Sequence, residues 1–229
     1  MNSLHDPAVC AVLDELHARS LAEEPEIDRW YAGGAKRPTG FETEDSADRR
    51  FWRDKLVALD QDKAELTYAI ARAAGATRIV EAGTSFGLST LYLASAVRDN
   101  GGGTVITCDI EPSKVTVAET NFERAGLRHC IECRVGDIRR TLEGLEGPID
   151  LLLLDIWAPI AGDVLTLVAP ALRIGGVVLA DNTTVRSSLY QNLFAVLDDP
   201  TNGFTRQTIP YDGGFELAVR TSVDNHLVR

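Results

Sequence analysis

The chain predicts an α/β fold: a mostly parallel, doubly wound sheet of seven strands, ending in an antiparallel hairpin and preceded by helices. Three observations lead there. From residue 78 onward the strand-like runs RIVEAG, TVITCDI, IECRVGD, IDLLLLD and GVVLAD alternate with helical stretches, and such alternation builds right-handed βαβ units. The four consecutive leucines Leu151–Leu154 are apolar at every position, as a strand covered by helices on both faces must be. Near the end, FTRQTIPY and FELAVR are separated only by DGG, which leaves no room for a helix and makes them a hairpin.

The intervening helices are expected at Gly87–Asp99, Pro112–Ala125, Arg139–Leu145 (short) and Asp163–Leu172, with another near Val185–Leu197. Ahead of the first strand, Asp6 is placed to cap a helix with Pro7 at its first position, and Val9, Val12, Leu13 and Leu16 share one face. That face needs a partner, either the core or a second copy. Residues 31–50, rich in Gly, Pro and charge, form a loop of the sort that closes over a site or simply covers a surface. Phe51–Ala74 reads as one long helical stretch. The expected division is an N-terminal helical or covering segment, residues 1–57, and a main domain, residues 58–229.

With 23 Lys and Arg against 34 Asp and Glu, the net charge of -11 repels phosphate backbones and anionic lipid. Nucleic acid and membranes are therefore not expected partners. The start carries acids where a signal peptide needs a basic, then apolar, segment, and no apolar run is long enough to cross a bilayer. A soluble, cytoplasmic protein is expected. Cys130 and Cys133 form a C-x-x-C, but no second pair follows, and strand positions three apart face opposite ways. These read as ordinary thiols. The four histidines lie outside the strand ends and take a surface or structural reading.

The chemistry concentrates where strands end. VEAGTSFGLST follows the first strand with glycines at 83 and 87, which free the backbone for close approach and open a helix. It departs from the G-x-G-x-x-G dinucleotide pattern, and Glu81 would repel a pyrophosphate but attract an amine. Asp109 ends the second strand, where a carboxylate can bind ribose hydroxyls; Asp137 and Ile138 follow the third. Asp155 ends the fourth, and Asp181 and Asn182 the fifth. Each Asp could instead cap a following helix. Two carboxylates on neighbouring strands, about 4.8 Å apart, resist joint ionisation unless a cation lies between them. Asp155, Asp181 and Asn182 offer hard oxygens for Mg²⁺ or a similar ion, the alternative being two caps and a solvated Asn.

On VEAGTSFGLSTLYLA, TCDIEPSKV, VGDI, LLLLDIW and LADN, the stretch Ala58–Arg220 resembles the class I S-adenosylmethionine-dependent O-methyltransferases of the cation-dependent catechol and caffeoyl-CoA type. The resemblance implies a Rossmann-like fold and S-adenosylmethionine as cofactor. It implies methionine-end and loop contacts at Glu81, Gly83, Ser85, Gly87 and Ser89, and ribose contacts at Asp109 with its neighbour Ile110. Asp137, Ile138 and Trp157 would border the adenine; Asp155 would serve the cofactor, the metal and the chemistry, completing the divalent site with Asp181 and Asn182. A homodimer acting on a small catechol- or diol-like acceptor is likewise implied.

One position departs from that family. Where it commonly carries a lysine base after the metal-binding Asp, this chain has Ala158, stiffened by Pro159. Activation could come from the metal alone or from a base in residues 31–50. The rival readings are a metal-independent N- or O-methyltransferase, a non-catalytic S-adenosylmethionine binder, and a nicotinamide-binding protein, which Glu81 and the missing third glycine oppose. Trp30, Tyr31 and Phe41 would line an apolar acceptor pocket or serve as packing.

Overall fold

The computed structural model describes residues 2–33, 47–184 and 187–222. Seven strands form one sheet: β1 (Arg78–Ala82), β2 (Thr104–Asp109), β3 (Ile131–Val135), β4 (Ile149–Leu154), β5 (Leu172–Asp181), β6 (Phe204–Ile209) and β7 (Phe215–Arg220). Their order is β3-β2-β1-β4-β5-β7-β6. The first five run parallel, while β7 enters antiparallel between β5 and β6.

The leucine run behaves as its composition demands. Leu151 and Leu153 pack into one core with Ile79, Val105 and Leu179, whereas Leu152 and Leu154 pack into the other with Val80, Ile106 and Val178. Each fully buried leucine contributes about 1.5–3 kcal/mol, so the run holds both layers to the sheet.

One layer contains α1 (Pro7–Ala32), α3 (Gln61–Ala73), α4 (Leu88–Asp99) and α5 (Pro112–Arg124); the other contains α6 (Ile138–Thr141), α7 (Ala161–Val168) and α8 (Gln191–Asp198). Asp6 caps α1 by accepting from the Ala8 amide at 3.0 Å. Val9, Val12, Leu13 and Leu16 find their partner within the same chain, buried in the core beside α4. Because α4 lies between the sheet and this N-terminal layer, its residues from Leu88 to Val97 are all buried.

Several helix expectations need correction: α6 stops at Thr141 rather than Leu145, α8 starts only at Gln191, and two further differences have a tertiary cause. The stretch Phe51–Ala74 is split into α2 (Ala47–Arg53) and α3, with an irregular link that buries Leu56 and Leu59. Tertiary partners from α1 satisfy the opened backbone: Glu23 accepts from the Leu56 amide at 2.6 Å, and Arg19 donates to the Asp54 carbonyl at 2.9 Å. The helix expected to reach Leu172 ends at Val168, and Leu172 already begins β5, because the backbone there pairs with Ile149 of β4. Most of the loop expected over residues 31–50, with Phe41, lies outside the described residues, as does Val185.

Candidate active site

The sheet order reverses direction between β1 and β4, and in doubly wound sheets ligands bind outside the carboxyl ends of the strands at that switch. A cavity opens there. It is lined by Gly83 and Ser85 after β1, Asp109 and Ile110 at β2, Asp137 and Ile138 after β3, Asp155 and Trp157 after β4, and Asp181 and Asn182 at β5. Five separate strand ends thus converge. Glu81, Gly87 and Ser89 are buried behind the lining, rather than in it.

The glycines act first on packing. At Gly83 (φ 105°) a Cβ would stand 2.0 Å from the Asp155 carbonyl oxygen, and at Gly87 (φ 92°) one would stand 2.3 Å from the Phe122 ring. Only glycine lets the β1 loop lie against β4 and α5 in this way. Among the described residues, Ser85 and Asn182 are the non-glycine residues with positive φ, 47° and 58°. Both line the cavity, and left-handed backbone at a non-glycine residue gathers at ligand-binding loops.

The acids divide by surroundings. Asp109 accepts from the Ser85 amide at 2.7 Å and the Glu111 amide at 2.9 Å, tying the β1 and β2 loops together. Asp137 caps α6 through the Arg139 amide at 3.0 Å and pairs with the Arg139 guanidinium at 2.6 Å; the Arg139 contact holds its carboxyl below the usual range. Capping and cavity lining coincide in this residue. Glu81, fully buried, accepts from the Thr90 hydroxyl and from Thr107 at 2.6 Å. Burial pushes its pKa up to about 7, and the hydroxyls of Ser89, Thr107 and Thr90 only partly oppose this.

Leu154 pairs with Ala180 in register, so Asp155 and Asp181 follow on adjacent ends. Asp181 is 4% exposed, and its Oδ1 lies 2.8 Å from the ammonium of Lys63, the third residue of α3. Its Oδ2 accepts from the Asn182 side-chain amide at 2.7 Å. Lys63 is 1% exposed and also meets Asp60 at 2.8 Å. Burial works against its charge, but the Asp181 and Asp60 carboxylates prevail and its pKa is raised.

These contacts bear on the expected divalent cation. Both oxygens of Asp181 already face N–H donors, one of them a full positive charge. The Asn182 oxygen is turned to Gly213, where a Cβ would stand 2.2 Å from it. Among the described residues no three His, Cys, Asp or Glu side chains are grouped to hold a metal. As arranged, the donor set does not fit a divalent ion. Ala158 is buried in the second core, with Pro159 in the turn after it, so the lysine beside these acids comes from α3 instead.

Within the segment expected to cover the site, sequence reasoning did not single out the residues that line the cavity. Arg49, Trp52, Arg53 and Val57 line it from α2 and the following link. Trp52 meets Trp157 edge-on at 5.7 Å, and Phe51 stacks on Trp30 at 4.0 Å. Tyr31 tilts against Trp52 at 5.5 Å. Trp30 and Tyr31 therefore take the packing role left open for them. The adjacent Phe51 and Trp52 were the available signal. Glu111, which also lines the cavity, anchors α2 through Arg49 at 2.5 Å.

Comparison with known proteins agrees with this architecture. A family model described as a methyltransferase domain matches residues 80–183, from β1 to just past β5. The catechol O-methyltransferase of Mycobacterium tuberculosis is 29% identical over 69% of this chain and 69% of its own. That of Niastella koreensis is 28% identical over 55% of this chain, an alignment spanning 58% of the relative's length. The solved O-methyltransferase TomG of Streptomyces achromogenes, involved in tomaymycin synthesis and in complex with S-adenosylmethionine, is 25% identical over 86% of this chain and 96% of its own, with a TM-score of 0.67. The chain is thus similar to S-adenosylmethionine-dependent O-methyltransferases. The matched region contains all five strand ends that meet at the cavity, with both Asp155 and Asp181. Among the described residues no helix is long and apolar enough to cross a membrane.

Proposed function

We propose that the protein transfers the methyl group of S-adenosylmethionine to a hydroxyl of a small, catechol- or diol-like acceptor, without a divalent cation. The observation that carries this reading is the convergence of Asp109, Asp137, Asp155 and Asp181 on one cavity. In the reading, the Gly83–Ser85 loop receives the methionine end, with Glu81, Gly87 and Ser89 supporting it from behind. Asp109 and Ile110 receive the ribose, Asp137, Ile138 and Trp157 border the adenine, and the acceptor lies toward Asp155, Asp181 and Asn182.

The acceptor oxygen attacks the sulfonium methyl; the new O–C bond forms as the C–S bond breaks, leaving neutral S-adenosylhomocysteine. A carboxylate near pKa 3.9 cannot deprotonate a free phenol near pKa 10. As the methyl arrives, however, the hydroxyl becomes far more acidic, and Asp155 can take its proton in step with transfer. Alignment supplies much of the remaining advantage. Mg²⁺ with Asp155, Asp181 and Asn182 was the expectation from resemblance, and no step is assigned to it because both oxygens of Asp181 are already engaged, one by Lys63 and one by the Asn182 amide. The catechol-type acceptor is supported by the names of the two relatives above. A homodimer is the assembly the resemblance implies, and sedimentation checks it.

The test is methyl transfer from labelled S-adenosylmethionine to a panel of catechols and diols, with and without EDTA. Product formation that survives EDTA and falls by about 100-fold or more in Asp155→Ala is expected. Loss of activity with EDTA, restored by Mg²⁺, would return the metal to the mechanism; cofactor binding with no product from any acceptor would favour a non-catalytic binder.

A further inference from the structure

A lysine that is 1% exposed needs a reason. An ammonium moved out of water is tolerated only when a carboxylate meets it, and Lys63 meets two, Asp181 and Asp60, each at 2.8 Å. Asp60 lies just before α3 and is more than half exposed, so solvent already serves it. Asp181 is different: it is buried at the cavity wall next to the neighbouring end that carries Asp155. Two such carboxylates require positive charge close by.

We propose that Lys63 is the resident counter-ion of Asp181, standing in the charge position otherwise taken by a divalent cation, so that the acidic end of the cavity works with no bound metal. Lys63 touches neither ligand nor cavity directly. It is a positioning residue, holding Asp181 by one oxygen at 2.8 Å while Asn182 holds the other at 2.7 Å. A divalent ion on the same carboxylate would lie within a few ångströms of a like charge in a poorly solvated wall, where repulsion is strong. That the cavity beside Asp181 receives the cofactor and its acceptor rests on the function proposed above. Ala158 and Lys63 become two sides of one arrangement, the first removing a lysine from the β4 end and the second bringing one in from α3.

The test strips the full-length protein with EDTA, loads it with S-adenosylhomocysteine and titrates it with Mn²⁺ alone, following the electron paramagnetic resonance signal of free ion. Calorimetry on the same samples reads S-adenosylhomocysteine binding. The unaltered protein is expected to take up no Mn²⁺ below millimolar concentration. Lys63→Met is expected to gain a site about ten-fold tighter or more, since one positive charge has left two carboxylates, and Lys63→Arg to stay like the parent. Stoichiometric uptake by the unaltered protein at micromolar concentration overturns the proposal, as does a Lys63→Met variant that gains nothing. Should Lys63→Met not fold, Lys63→Gln repeats the measurement with a hydrogen-bond donor retained. Failure of S-adenosylhomocysteine to bind, with the Mn²⁺ results as expected, would remove the cofactor reading and leave the Lys63 assignment standing.

Discussion

The ends of β1 and β5 each bury a carboxylate, and they do so with different partners. Behind β1, Glu81 is surrounded by hydroxyls and carries a pKa pushed up to about 7 by burial. At β5, Asp181 is met by the Lys63 ammonium at 2.8 Å. Hydroxyl dipoles solvate an anion only partly, so Glu81 sits at the edge of protonation; burial raises the Asp181 carboxyl as well, and there the full opposite charge of Lys63 opposes the rise. The first arrangement makes a carboxyl that responds to pH near neutrality. The second ties a carboxylate to a buried ammonium at the cavity wall.

The largest expected effect breaks the second arrangement. Lys63→Met leaves a buried carboxylate without its cation and should lower stability by about 3–5 kcal/mol, read by urea unfolding at pH 7.5. Lys63→Arg should recover part of that loss. Equal stability of Lys63→Met and the parent would show that Asp181 never needed the ammonium.

Glu81→Gln sharpens the contrast. Below pH 4.5 folded and unfolded chains both hold the Glu81 proton, and between 4.5 and about 7 only the folded chain keeps it. Stability therefore falls as pH rises through that window and stays lower above it. The glutamine variant should lack this fall and gain up to roughly 3 kcal/mol at pH 8 relative to the parent. Superimposable stability-against-pH curves for the two proteins would sink the hydroxyl-cage account.

Smaller effects belong to the wetter acids. Asp109→Ala removes the acceptor for the Ser85 and Glu111 amides and should weaken S-adenosylhomocysteine binding by about 10- to 100-fold, measured by calorimetry. Arg139→Ala strips Asp137 of a partner whose side chain is 36% exposed. Solvent screening limits that loss to under about 1 kcal/mol, within reach of a thermal-unfolding comparison.

Much of the fold was legible because periodicity reports local burial. The doubled apolar faces of Leu151–Leu154, the Asp6–Pro7 helix start and the DGG hairpin each follow from residues close together in the chain, and each was found. The ends of the strands were legible too, which is why Asp109, Asp137, Asp155 and Asp181 could be named before their meeting place was known. The break between α2 and α3 was not legible, since its cause is Glu23 and Arg19 reaching across from α1.

By itself, then, the sequence determined which acids stand at strand ends and that those ends share one edge of a parallel sheet, because alternation and chain direction are local properties. Only the tertiary structure decided what each acid meets there. Lys63 and Asp181 are 118 positions apart, and no spacing rule links them. Charge balance in a buried site is a property of distance in space, and it becomes fixed only when α3 packs over the end of β5.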